Sequence, residues 1–196
     1  MKRVCVFCGS STGSEPAYTE AARTLGQTLA REGITLVYGG GHVGLMGVVA
    51  DAALRAGGEV VGVIPRSLLE REIAHTGLTN LRVVGSMHER KALMSDLSDG
   101  FIALPGGTGT LEEFFEVLTW AQLGEHRKPC GLLNAGGYYD PLLALFDHMV
   151  AEGFLSEGRR AMVLVAPKPD PLLEAFARYR PPEVPKWLGR AEVRSP

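Results

Sequence analysis

Gly100-Phe101-Ile102-Ala103-Leu104-Pro105-Gly106-Gly107-Thr108-Gly109-Thr110-Leu111-Glu112-Glu113 changes its character twice within a short span. The run Gly100 to Leu104 is continuously apolar or small, the pattern of a strand covered on both faces. Pro105 to Thr110 holds three glycines and no large side chain, which suits a turn whose backbone must lie close to something else. From Thr110 the apolar residues Phe114, Val117, Leu118 and Ala121 recur at helical spacing. A buried strand that feeds a glycine turn and then a helix is the repeating unit of a parallel sheet.

Working outward, the same alternation fills the chain. Six further strands are predicted at Arg3–Phe7, Thr35–Tyr38, Glu59–Ile64, Leu81–Val84, Cys130–Leu133 and Met162–Val165. Helices are predicted at Pro16–Arg31, Gly44–Ala56, Met87–Ser98, Thr110–Leu123, Tyr139–Glu152 and Pro171–Arg178. Regular β-α alternation gives a fold class of α/β, a Rossmann-like doubly wound parallel sheet in a single domain. That domain is expected over residues 1–180. The stretch 181–196, with Pro181, Pro182 and Pro185 in its first half, cannot extend a helix and reads as a tail.

Composition narrows the function classes. Twenty basic and twenty-two acidic residues leave a formal net charge of −2 in 196 residues. No single-sign field marks a nucleic-acid or membrane partner, so a small ligand is expected. The apolar run Val4 to Phe7 is too short for a signal-peptide core, and no stretch is long enough to span a bilayer, so the expected location is the cytoplasm. Cys5-Val6-Phe7-Cys8 spells a CxxC, but within and just after a predicted strand and with no second pair; buried cysteines are expected there, not a metal or redox site.

In an open parallel sheet, ligands bind beyond the carboxyl ends of the strands. Three loops there are rich in glycine or small polar residues: Gly9 to Gly13, Gly39 to Gly47, and Pro105 to Thr110. Such loops aim backbone N–H groups at one point, where a helix dipole also favours an anion, so a phosphorylated ligand is expected. Gly39-x-Gly41-x-x-Gly44 matches the dinucleotide fingerprint, yet the following strand ends Val63-Ile64-Pro65-Arg66 without the acid that holds a ribose diol. No glycine loop ends in the Gly-Lys-Ser/Thr of a P-loop. Both observations count against NAD-dependent oxidation and ATP hydrolysis.

Helical geometry singles out three charged residues. On Met87–Ser98, Leu93, Leu97, Met94 and Met87 form an apolar arc; Arg90 falls inside it and Lys91 at its border. An arginine on such a stripe either snorkels to water or has an anionic partner. On Thr110–Leu123, Glu112 shares the polar side with Glu116 and Thr119, whereas Glu113 faces the packed side at the mouth of the glycine loop. Glu113 could pair with Arg90 or take part in chemistry; its alternative is a first-turn residue that steadies the helix dipole. The five histidines show no metal-ligand spacing, Ser10 and Ser11 lack a triad pattern, and Tyr138, Tyr139 and Trp120 suit either the core or a stacked base.

These motifs resemble the LOG (Lonely Guy) phosphoribohydrolases, which release free cytokinin from its riboside 5′-monophosphate. Met87-His88-Glu89-Arg90-Lys91 and Pro105 to Glu113 are similar to the family's paired signature. Val6 to Ser11, the Tyr38-Gly39-Gly40-Gly41 loop ending Gly44-Leu45-Met46-Gly47, and Thr119 to Gly124 also match. The resemblance runs from about residue 3 to residue 178. It implies a Rossmann-like homodimer with no redox cofactor and no metal. It places catalysis on Arg90 and Glu113, and substrate contacts on Glu72, Lys91, Gly107, Thr108, Gly109, Thr110, Glu112 and Thr119, with Gly106 opening the phosphate-holding loop. Relatives have also carried the label lysine decarboxylase, but no pyridoxal-phosphate lysine site is recognisable. The implied reaction hydrolyses the N-glycosidic bond of an adenosine-type or cytokinin-type 5′-monophosphate through an oxocarbenium-like sugar. The alternative is a nucleotide or molybdenum-cofactor carrier of the same fold, which needs the glycine loop but not the Arg90–Glu113 pair.

Overall fold

The computed structural model describes residues 1–70, 74–78 and 80–182. Its centre is strand β1 (Arg3–Phe7), whose side chains alternate between two cores. Val4 and Val6 enter one hydrophobic cluster, and Cys5 and Phe7 enter the other. That period of two is the geometry of a pleated strand, and both faces are covered because both sets are apolar.

β1 pairs in parallel with β2 (Thr35–Tyr38) on one side and with β5 (Gly100–Ala103) on the other. Beyond β2 come β3 (Val60–Pro65) and β4 (Asn80–Val84), and beyond β5 come β6 (Cys130–Leu133) and β7 (Val163–Ala166), giving the order β4-β3-β2-β1-β5-β6-β7. The chain winds outward from β1 to one edge and then returns to β5 to wind the other way. The reversal between β1 and β5 opens a crevice at their carboxyl ends, the usual ligand position in such sheets.

Helices cover both faces, as parallel connections require. On one face α1 (Pro16–Arg31), α2 (Gly44–Arg55) and α8 (Pro169–Arg178) pack through Leu25, Leu29, Val49, Leu172 and Phe176. On the other, α4 (Met87–Leu97), α5 (Thr108–Leu123) and α6 (Asp140–Ala151) pack through Met94, Phe114, Val117 and Phe146. Phe114 is fully buried, and truncation of such a side chain to alanine costs roughly 3–5 kcal/mol.

All seven predicted strands are present, with ends that differ by a residue or two. Helix α5 starts at Thr108, two residues before the predicted Thr110, because Gly107 is extended and serves as the N-cap. Two single-turn helices, α3 (Arg66–Leu69) and α7 (Glu157–Arg160), were not expected; four residues are too few to show a helical period. The predicted tail lies, apart from Pro181 and Pro182, outside the described residues. Cys5, Cys8 and Cys130 are free and buried, and burial pushes the Cys130 thiol up to about 12. Among the described residues no helix is long and apolar enough to cross a membrane.

Candidate active site

The crevice is floored by backbone. The N–H of Gly9 donates to the Pro105 carbonyl at 3.1 Å, and the N–H of Leu45 donates to the Gly9 carbonyl at 3.0 Å, so the loops after β1, β2 and β5 are tied together. Gly106 has no room for a side chain: a Cβ there would overlap the Thr110 hydroxyl and lie 2.7 Å from the Gly9 nitrogen. Gly107 and Gly109 are the reverse, facing open space. No side chain caps the start of α5, and first-turn N–H groups have no partner inside their own helix. Here the helix dipole adds to the attraction for an anion. A cavity of about 310 Å³ lies in front, lined by Gly9–Gly13, Pro105–Gly107, Leu45, Tyr18 and Tyr138. The Tyr138 hydroxyl donates to the Gly106 carbonyl at 2.6 Å, and its ring meets Tyr18 edge-on at 5.4 Å.

Of the three glycine loops, the one after β2 is used differently from the other two. A Cβ on Gly44 would overlap the Ser10–Ser11 backbone, and one on Gly47 would overlap the His42 carbonyl. These glycines let backbone pack on backbone, and the loop contributes only Leu45 to the cavity wall.

Beside the crevice sits a buried ion pair. Arg90 Nη1 lies 3.5 Å from Glu113 Oε1, with side chains only 11% and 14% exposed. The guanidinium is held on several sides: Nε donates to the Val63 carbonyl at 3.1 Å, and Nη1 reaches the Met87 sulfur at 3.3 Å. Nη2 lies where a Cβ on Gly39 would be, so any side chain at that position would displace the guanidinium. The apolar stripe of α4 thus carries its arginine inward to a carboxylate, not out to water. Burial pushes the Glu113 carboxyl above the usual carboxylate range, and the adjacent Arg90 charge offsets part of that rise. A carboxyl so placed holds or releases a proton closer to neutral pH than an exposed one does.

A second pairing runs next to the first. Lys91 Nζ lies 2.5 Å from Glu112 Oε1 and 3.0 Å from Glu116 Oε1. The hydrogen bond that Lys91 donates to Glu112, ahead of the one it donates to Glu116, raises the Lys91 pKa. Arg90 and Lys91 on α4 therefore face Glu113 and Glu112 on α5 as a double rung.

Comparison with known proteins places this geometry in a family. Residues 46–176 match the family described as "Possible lysine decarboxylase". The chain is 56% identical over 181 residues to a probable cytokinin riboside 5′-monophosphate phosphoribohydrolase of Oryza sativa subsp. japonica, covering 92% of this chain and 74% of that one. It is 53% identical over 180 residues to a cytokinin riboside 5′-monophosphate phosphoribohydrolase of Arabidopsis thaliana, covering 92% and 83%. The chain belongs to the LOG family. More distant likenesses show the fold. A molybdenum cofactor binding protein from Rippkaea orientalis superposes with a TM-score of 0.69 at 25% identity, over 91% of this chain and 97% of that one. The molybdenum cofactor carrier protein of Chlamydomonas reinhardtii does so with 0.67 at 22%, over 90% and 96%.

The LOG signature residues fall into three groups. Gly106, Gly107, Thr108, Gly109 and Thr110 form the uncapped loop and helix start, and Arg90, Lys91, Glu112 and Glu113 form the double rung beside it. Thr119 lies on the exposed face of α5, about 16 Å along the axis from Thr108, and the fold does not bring it to the crevice of its own chain. Glu72 lies outside the described residues. Two features of this LOG site escaped the sequence reading: the Tyr138 hydroxyl on Gly106 and the fit of Arg90 against Gly39. The sequence marks Tyr138 only as core or as a stacking ring, since nothing local shows that its hydroxyl reaches a carbonyl 32 residues away.

Proposed function

We propose that the protein hydrolyses the N-glycosidic bond of a purine riboside 5′-monophosphate, releasing the free base and ribose 5-phosphate. The observation that carries this reading is the buried Arg90–Glu113 pair beside the open start of α5, in a chain 56% identical to a probable cytokinin riboside 5′-monophosphate phosphoribohydrolase. The 5′-phosphate is held by the loop Gly106–Thr110 and the first turn of α5. Glu113 follows Thr110 by three residues, about 4.5 Å along the helix, which places a carboxylate next to a sugar anchored through its phosphate.

In the reaction the C1′–N bond breaks, its electron pair leaves with the base, and positive charge develops on the ribose. The Glu113 carboxylate stabilises that charge and takes a proton from the water whose oxygen bonds to C1′; the departing base gains a proton. Arg90 orients Glu113 and the ligand. Lys91 restrains Glu112, and Glu112 contacts substrate as the family signature implies; the contact implied for Thr119 falls to a second copy of the chain, since the fold keeps it from its own crevice. A carrier of nucleotide or molybdenum cofactor is the second reading, favoured by the solved carriers of the same fold. It leaves the Arg90–Glu113 pair without a use, and a buried ion pair is not a cheap device for stability.

A homodimer belongs to the same proposal. Phe114 and Leu118 of α5 are taken up by the core of the chain. Leu123 remains 59% exposed, and Phe115 and Trp120 are only partly covered, which leaves apolar surface for a second copy. The enzymatic test is incubation of the pure protein with AMP, isoprenylated AMP, adenosine and ATP, followed by chromatography of released bases. Cleavage of a monophosphate ahead of adenosine and ATP is expected. Equal rates on AMP and adenosine would remove the phosphate anchor from the proposal, and no cleavage of any monophosphate would leave the carrier reading.

A further inference from the structure

The imidazole of His75 is tied at both nitrogens. The N–H of Gly77 donates to Nδ1 at 3.1 Å, so Nδ1 carries no proton; the ring proton therefore sits on Nε2, which donates to Asp51 Oδ1 at 3.1 Å. Asp51 belongs to α2 and is steadied by Arg55, one turn on, at 3.5 Å. The His75 side chain is only 12% exposed. Its backbone belongs to the same assembly: the His75 N–H donates to the Gly40 carbonyl at 2.9 Å, and Ala74 forms an antiparallel bridge with Gly41.

The Gly39–Gly41 backbone needs such support. It follows the end of β2, Gly40 is left-handed with φ of 74°, and no side chains of its own anchor these three residues. Yet Gly39 forms one side of the slot that holds the Arg90 guanidinium, with the Val63 carbonyl as another attachment. We infer that His75, clamped by Asp51, is a positioning residue that fixes the Gly39–Gly41 backbone against Arg90 and thereby sets the geometry of the Arg90–Glu113 pair. His75 acts through the backbone after β2, whereas the loop assigned to the phosphate follows β5. Its loss should reach the chemical step more than ground-state nucleotide binding.

This inference rests on the hydrolase reading, so its test carries a readout free of catalysis. His75→Ala is expected to lower kcat on AMP by about tenfold to a hundredfold, the scale of a misplacement on the order of 1 Å, with AMP affinity by calorimetry within about threefold of wild type. His75→Gln, whose amide nitrogen can still donate to Asp51, should recover most of the rate. Asp51→Ala should reproduce His75→Ala, and the double variant should lose less than the product of the two single effects. Amide hydrogen exchange across residues 39–42 should accelerate in His75→Ala and not in His75→Gln. An unchanged kcat in His75→Ala overturns the inference, as does a parallel fall of rate, affinity and melting temperature that His75→Gln does not reverse. If His75→Ala does not fold, His75→Gln and Asp51→Ala decide by the same measurements. If the wild-type protein cleaves no monophosphate, the hydrolase reading fails by itself; unchanged exchange at residues 39–42 in His75→Ala then overturns the clamp separately.

Discussion

Replacing Glu113 by glutamine removes one charge from a side chain that is 14% exposed and 3.5 Å from Arg90 Nη1. With an effective dielectric constant of about 20, the attraction across that gap is about 5 kcal/mol. Taking the two ions out of water costs several kcal/mol each, so the two effects nearly cancel. The direction of the Glu113 pKa shows which one wins: burial raises it in spite of Arg90, so the folded protein holds the charged carboxylate less well than water does. A neutral amide of the same shape is therefore tolerated, and the melting temperature of Glu113→Gln should stay within roughly 4 °C of wild type, the equivalent of about 1 kcal/mol for a domain of this size. Catalysis should respond differently. Loss of a charge aimed at a developing opposite charge costs on the order of a hundred- to a thousandfold in rate, about 3–4 kcal/mol. Single-turnover kinetics with AMP measure the chemical step, and calorimetry measures nucleotide affinity, which should hold. Glu112→Gln, at an exposed carboxylate paired with Lys91, should slow the chemical step far less. Turnover by Glu113→Gln within tenfold of wild type would refute the assignment, and a dead Glu112→Gln beside an active Glu113→Gln would reverse it.

Four other outcomes are expected. Arg90→Ala should inactivate and also destabilise, because it leaves the Glu113 carboxylate buried without its ion-pair partner and vacates the slot beside Gly39; thermal melts at pH 7 check this. The acid limb of kcat against pH should lie above the ordinary carboxylate value of about 4.3, since ionised Glu113 is required and its pKa is raised. By the same shift, the stability contribution of Glu113 is fully present below that ordinary value and is lost as pH rises through the raised one; the melting temperature of Glu113→Gln relative to wild type should thus improve from pH 4 to pH 7. Light scattering at micromolar concentration should show a dimer, and a monomer alone would leave Leu123 and its neighbours unexplained.

The amino-acid sequence by itself determined the seven strands, the six long helices and the inward turn of Arg90 and Glu113, because each is a local matter. Continuous Val, Ile and Leu runs mark strands covered on both faces, and a period of 3.6 decides which side of a helix a residue takes. The single turns at Arg66–Leu69 and Glu157–Arg160 were beyond that reach, being shorter than the period that would reveal them. Tertiary structure alone decided which loops meet. Strand order puts the ends of β1 and β5 side by side, although 96 positions separate the paired residues Val6 and Ile102, with the intervening chain winding outward to one sheet edge and back. Lys91 gripping Glu112 and Glu116, Tyr138 holding Gly106, and His75 tied to Asp51 all join residues 21 to 32 positions apart. The glycines show the same division. Composition marked three glycine loops as alike, and only packing separated Gly107 and Gly109, open to a ligand, from Gly39, Gly44 and Gly106, where a neighbouring atom already fills the space of a side chain. Periodicity encodes the direction a side chain faces; which atom it finds there depends on how distant segments are brought together.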